Sequence, residues 1–289
     1  MNGGTTAGGS ATPVVVSTAD DLASRLGGST ARVIRVSGTI RGDFQVGSNK
    51  TVVGTCGAEV RGSLTLKGVS NVVIRNLKVV GHNCSDSPRD CSSGKDAISV
   101  LDESRNIWFD HLDVSDGSDG NLDVTQGSDF VTISWTKFSY ASRRTDPEAG
   151  ESGHRFSNLI GASDSESRDP GHLNVTFHHC WWANNVDQRM PRTRRGKIHL
   201  FNNLFTSSGN SYCTNAGFEA KLLVENNIYV GVDDPLDVSG GSLRAEGNVF
   251  RDTTGNRSGS GSGFSPTYTY TLEPTAGLED TVRTQAGPR

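Results

Sequence analysis

An all-β fold, the right-handed parallel β-helix, is predicted by three observations on this 289-residue chain. Short β-branched runs recur along it, equivalent positions in those runs keep step, and Gly, Asn, Ser, Thr and Val outweigh the good helix formers. The runs lie at 71–76, 106–111, 130–135, 174–179, 197–203, 221–227 and 242–248. Anchored on Ile74, Phe109, Ile133, Phe177, Leu200, Val224 and Ala245, they are separated by 35, 24, 44, 23, 24 and 21 residues. Four separations share one period, and the two long ones read as one period plus an inserted loop. Five residues past each anchor stand Val79, Val114, Phe138, Trp182, Phe205, Tyr229 and Phe250, all apolar and mostly aromatic. Three past the last three anchors stand Asn203, Asn227 and Asn248. Such columns are what stacked coils require, with rings piled inside and amides bonding from corner to corner. Antiparallel hairpins would need a turn every 8–12 residues or so and would not keep columns in step.

The remaining elements follow in chain order. Residues 1–12 carry Gly, Thr and Ala and are expected to be loose. From Ser17 to Leu26 a short helix is predicted, capped by Ser17 or Thr18, with Asp20 and Asp21 in its first turn and Gly27 and Gly28 stopping it. Its apolar face would cover the first open coil. The inserted loops fall before Phe109 and before Phe177, and insertions in a solenoid tend to gather on the binding face. A Gly/Ser linker is expected at about 257–263, then a tail, 264–289, folded back along the outside. One parallel β-helix domain over 1–289 accounts for all of this.

No run approaches the ~18 apolar residues of a membrane helix. The net charge of −4 argues against a protein that grips nucleic acid with its whole surface. Of five cysteines, Cys84 and Cys91 bracket a polar loop that a disulfide can close, and an odd total leaves at least one thiol over. No zinc spacing occurs, and the first residues lack the pattern of an export signal.

Two charge clusters carry the chemistry. The acidic one is Asp96, Asp119 and Asp123, placed by the repeat on adjacent coils, about 4.8 Å apart along the solenoid. Three converging carboxylates repel unless a cation lies among them, and an all-oxygen set favours Ca²⁺ over Mg²⁺. The basic one holds Arg189, Arg192, Arg194, Arg195 and Lys197 within nine residues. In an acidic protein this focus reads as a site for a polyanion, on a rung neighbouring the carboxylates. No aromatic interleaving supports nucleic acid. Asp102, Asp110, Asp113, Asp116 and Asp129 read as turns and solvated surface, and His111, His178 and His179 as structural residues. Trp182 belongs to the core column and Trp181 to the groove.

The segments Lys95-Asp-Ala-Ile-Ser-Val, Ile107-Trp-Phe-Asp-His, Asp119-Gly-Asn-Leu-Asp-Val and Val131-Thr-Ile-Ser-Trp are followed by Asn158-Leu-Ile-Gly-Ala-Ser-Asp, Val175-Thr-Phe-His-His and Arg189-Met-Pro-Arg-Thr-Arg-Arg-Gly. In this order and spacing, from about Val72 to Tyr229, the chain resembles the family 1 polysaccharide lyases, the pectate and pectin lyase superfamily. The resemblance implies a right-handed parallel β-helix and Ca²⁺-dependent β-elimination of α-1,4-linked polygalacturonate, giving unsaturated oligogalacturonides. It further implies Asp96, Asp119 and Asp123 as Ca²⁺ ligands, Arg189 as the base that removes the C5 proton, and Arg194, with Arg192 nearby, as partners of substrate carboxylates. An arginine base runs against ordinary chemistry, because a free guanidinium keeps its proton; crowding by Arg192, Arg194 and Ca²⁺ would favour its loss.

One position departs from the family pattern. Where many pectate lyases carry a substrate-binding Lys, three residues before the Leu-Ile-Gly run, this chain has Phe156; Arg155 is one residue off and would replace it only through a bulge. The competing functions are a pectin lyase acting on methyl-esterified substrate, a glycoside hydrolase on the same scaffold, and a silent carbohydrate-binding relative. A full acidic set argues against the first, carboxylates committed to metal against the second, and an intact Arg189 against the third. A monomer, secreted to meet a polymeric substrate, is expected.

Overall fold

The computed structural model describes residues 4–82, 94–141 and 154–289. The Cys84–Cys91 loop lies outside them. The chain winds as a right-handed parallel β-helix of three faces. A ten-stranded parallel face runs from Val14–Val16 to Ser242–Glu246. The other two faces meet in the strand Glu59–Lys67, which pairs at its start with Lys78–Val80 and at its end with Ile98–Leu101. The second face then continues to Val249–Arg251. The third runs through Leu122–Val124, Leu159–Ile160, Arg192–Thr193 and Thr214–Ala216 to Leu236–Val238.

Both predicted columns are in register. Ile74, Phe109, Ile133, Phe177, Leu200, Val224 and Ala245 pair in succession on the first face. Val79 to Phe250 do the same on the second. Inside, Trp182 and Phe205 stack at 4.5 Å, and Phe205 and Tyr229 at 4.3 Å. At about 2 kcal/mol per buried side chain, this continuous column supplies much of the hydrophobic stabilisation. The asparagine ladder is also present. Asn203 Nδ2 donates to Asn227 Oδ1 at 2.9 Å, and Asn227 Nδ2 to Asn248 Oδ1 at 3.0 Å.

The coils turn from the first face to the second in a tight left-handed bend, two residues past each anchor. Asn76, His111, Trp135, His179, Asn202, Asn226 and Gly247 all have φ between 48° and 63°. Asn and Gly adopt this region readily; His and Trp are held there by the coil. Trp135 stacks on His179 at 4.2 Å, so these side chains line the outside of the corner.

The N-terminal helix is Ala19–Leu26, capped by Thr18 Oγ1, which accepts from Asp21 N at 3.3 Å. Leu22 and Leu26 are buried and close the first coil against Val46 and Val52. From Gly4 the opening residues lie against the first face: Thr6 N and Ala7 N both donate to Asn71 Oδ1, and Ala7 is buried. Beyond 257–263 the tail crosses the outside of the first face. Tyr268 Oη meets Thr176 Oγ1 and His199 Nδ1, each at 2.8 Å, and Tyr270 Oη donates to Glu225 Oε2 at 2.7 Å. It ends in a helix, Leu278–Gln285, whose Leu278 and Val282 pack on Leu204 and Ile228 of the second face. Trp181 sits beneath this helix, 5.3 Å from Arg283, and not in a groove.

Candidate active site on the third face

Alternation along the third face buries Leu122, Val124, Ile160 and Ala216 and turns the intervening residues outward. The outward column reads Ser99, Asp123, Leu159, Arg192, Asn215 and Asp237, each on the next strand. It brings the acidic and basic clusters to one surface. They are not on neighbouring rungs, however. Arg192 stands two strands from Asp123, because the Leu159–Ile160 strand lies between them.

Asp96 enters this face one coil before Asp123. Ser99 Oγ donates to its Oδ2 at 2.9 Å, while its Oδ1 is buried without a hydrogen-bond partner. Ala97 N donates to Gly120 O at 3.0 Å and Asp119 N to Lys95 O at 3.2 Å, setting the two coils together. Leu159 N donates to Asp123 Oδ1 at 2.8 Å from the next coil. Gly120 forms the floor: a Cβ there would lie 3.0 Å from Asp96 Oδ1 and 3.1 Å from Asp123 Oδ1. Any side chain would fill the space over which the two oxygens converge.

Electrostatics mark the same spot. Burial, with the charge of Asp119 added, pushes the Asp96 carboxyl up to about 7. Asp123 is pushed well above the usual carboxylate range by burial first and by Asp96 second. Arg189 and the hydrogen bonds from Ser99 and Leu159 act in the opposite direction. Among the described residues no three His, Cys, Asp or Glu side chains close on one point tightly enough to cage an ion by themselves. The donors nonetheless fit a hard divalent cation. They are all oxygen, they repel one another, and one buried oxygen is unpartnered, which leaves room for water or ligand oxygens to complete six to eight contacts.

Arg189 precedes its strand in a left-handed conformation, φ 61°, and Asn158 N donates to its carbonyl at 2.7 Å. Its side chain reaches back one coil. The guanidinium carbon lies 4.2 Å from the centre of the Phe156 ring. Its Nε is buried without a hydrogen-bond partner. Arg194 pairs with Asp164 at 3.1 Å, and its Nη1 donates to Gly161 O at 3.3 Å. Burial first, then the charges of Arg192 and Arg189, lower its proton affinity. Tyr212, unremarked in the sequence, stands one coil beyond Arg189; burial raises its phenol while Arg192 and Arg189 oppose that.

Several other residues resolve differently from their sequence reading. Arg155 does not take the place of the family Lys: it is buried, its Nε donates to Asn185 O at 2.8 Å, and it pairs with Asp187 at 3.7 Å. Asp110, Asp116 and Asp129 are buried rather than solvated. Each accepts a hydrogen bond: Asp110 from Ser134 Oγ, Asp116 from Ala141 N and Asp129 from Asn174 N. His178 and His179 share a 3.0 Å contact at the edge of the first face, away from the arginines. Cys180 and Cys213 are buried thiols, and burial raises both.

Comparison with known proteins agrees with this architecture. The sequence matches the pectate lyase family over residues 1–277. It is 35% identical over 247 residues to a probable pectate lyase B of Aspergillus terreus, covering 81% of this chain and 68% of that protein. It is 30% identical over 312 aligned positions to a pectate trisaccharide-lyase of Bacillus licheniformis, covering 99% and 84%. A Bacillus pectate lyase crystallised with trigalacturonate superposes with a TM-score of 0.80 at 25% identity, covering 100% of this chain and 97% of that one. On its coil architecture and these matches, the chain belongs to the pectate lyases of polysaccharide lyase family 1 and is a carbohydrate-acting lyase.

Proposed function

We propose that the protein cleaves α-1,4-linked polygalacturonate by Ca²⁺-dependent β-elimination, with Arg189 as the base. The observation that carries this reading is the pair of carboxylate oxygens converging over Gly120, within reach of the Arg189 charge and on the face whose outward column holds Arg192. Asp96, Asp119 and Asp123 would hold the ion. When bound, Ca²⁺ supplies positive charge that stabilises the negative charge developing on the uronate carboxylate. Arg192 and Arg194 orient the carboxylates of the polymer, as planar forks suited to that group. Arg189, having given up one proton to act as neutral guanidine, takes the proton from C5 and becomes guanidinium; the C5–H electron pair forms the C4=C5 double bond, and the C4–O bond breaks with its electrons on the leaving oxygen, which takes a proton from water. A substrate too large to cross a membrane puts the enzyme outside the cell, where it acts as a monomer.

Incubation with polygalacturonate, followed by ultraviolet absorbance of the unsaturated product, tests the reading. Product that disappears with chelator and returns with Ca²⁺ supports it. Chelator-insensitive product from methyl-esterified pectin would instead assign a pectin lyase, and new reducing ends without absorbance a hydrolase.

A further inference from the structure

Resting on the reading above, we propose that Phe156 is a positioning residue that holds the Arg189 guanidinium in place for the reaction. Asp123 and Arg192 are two strands apart, and Phe156 belongs to the coil between them. Its backbone pairs with Gln188, the residue before Arg189. The ring is therefore set under the arginine by the coil itself. Arg189 leaves its backbone in a left-handed turn, so no flanking strand aligns its side chain. Among the described residues no carboxylate lies within ion-pair distance of it, and its Nε has no hydrogen-bond partner. What holds the guanidinium is the face of Phe156, at 4.2 Å from ring centre to Cζ. His154 packs edge-on against the same ring at 4.8 Å and limits its rotation.

The chemistry explains why an aromatic ring suits this position. A carboxylate partner would neutralise Arg189 and compete with the substrate for its donors. A lysine would repel it. A ring stacks on the flat guanidine group in either protonation state and leaves the N–H edges free to meet the sugar. It also carries the guanidinium one coil nearer to Asp96 and Asp123 than its own strand lies, where those two carboxyls sense its charge.

Two measurements on Phe156→Leu and Phe156→Tyr test this. The first is the side-chain Nε–Hε resonance of Arg189, assigned by its loss in Arg189→Lys. It should show an upfield ring-current shift in the wild type and the Tyr variant and lose it in the Leu variant. The second is steady-state kinetics on polygalacturonate with saturating Ca²⁺. The Leu variant should lose kcat on the order of tenfold with KM within about twofold, and the Tyr variant should stay within about threefold of wild type. An Arg189 resonance unmoved by Phe156→Leu, an unchanged kcat, or an equal loss in both variants overturns the proposal. A wild-type protein that releases no unsaturated product overturns the functional reading instead, and the resonance still decides whether Phe156 holds Arg189.

Discussion

At the scale of single residues, the central fact is two carboxyls kept in a place that disfavours their charge. A carboxyl whose folded-state pKa is raised binds its proton more tightly when folded. It therefore costs no stability below about pH 4 and an increasing amount as pH rises through the folded value, about 7 for Asp96. Metal-free wild-type protein should accordingly melt below the Asp96→Asn variant at pH 8, by about 2–4 kcal/mol, with the gap closing by pH 4. The amide keeps an acceptor for Ser99 Oγ, so the comparison isolates charge. Thermal melts in chelator check this, and a gap independent of pH would contradict it. The same variant should lose lyase activity by two orders of magnitude or more, roughly, as ligand charge is removed. Arg189→Lys should be similarly impaired on initial rates; near-normal turnover would argue against a specific guanidinium role. The acidic and basic clusters stand out in the sequence as charge against the repeat, and the structure brings both to the third face; the separate roles of Asp96, Asp119, Asp123 and Arg189 come from the resemblance and are proposals. The contact of Phe156 with Arg189 was not legible there: the sequence marks Phe156 only as the position where many pectate lyases carry a Lys, and only the coil offset places its ring beneath the guanidine group.

At the scale of elements, the asparagine ladder ties each coil to the next. Asn227 is fully buried; it accepts from Asn203 N and Nδ2, both at 2.9 Å, and donates to Leu200 O at 3.1 Å. Asn227→Ala leaves those groups without partners and should cost about 2–4 kcal/mol in urea denaturation, whereas Asn248→Ala, at the less buried end, should cost less. Equal costs would mean that the ladder does not act through burial. The ladder and both apolar columns were predictable because a repeat makes each position report on its neighbours. The left-handed corner was not: His111, Trp135 and His179 are poor residues for positive φ, and the coil overrides their preference. Nor was the strand Glu59–Lys67, which serves two faces by bending at Gly62, φ 138°, where no regular strand pattern applies.

At the scale of the whole molecule, both ends are fastened to the solenoid. The final helix covers Leu204 and Ile228, which would otherwise present an apolar patch on the second face. Its signal was faint but present: Gly277, then Leu278 and Val282 at helical spacing with Glu279 and Asp280 in the first turn. Val282→Ala should cost about 2–3 kcal/mol of docking and make the tail the first site of limited proteolysis, with the coils left intact. Cleavage beginning within the coils would refute that order of unfolding. The overall claim is that one surface of the solenoid joins a cation seat to an arginine that acts on the sugar. Diffraction from crystals of Arg189→Lys grown with Ca²⁺ and an oligogalacturonate tests it most directly. An ion is expected among Asp96, Asp119 and Asp123, with a sugar carboxylate shared between that ion and the arginines. An ion bound elsewhere, or a sugar lying on another face, would contradict it.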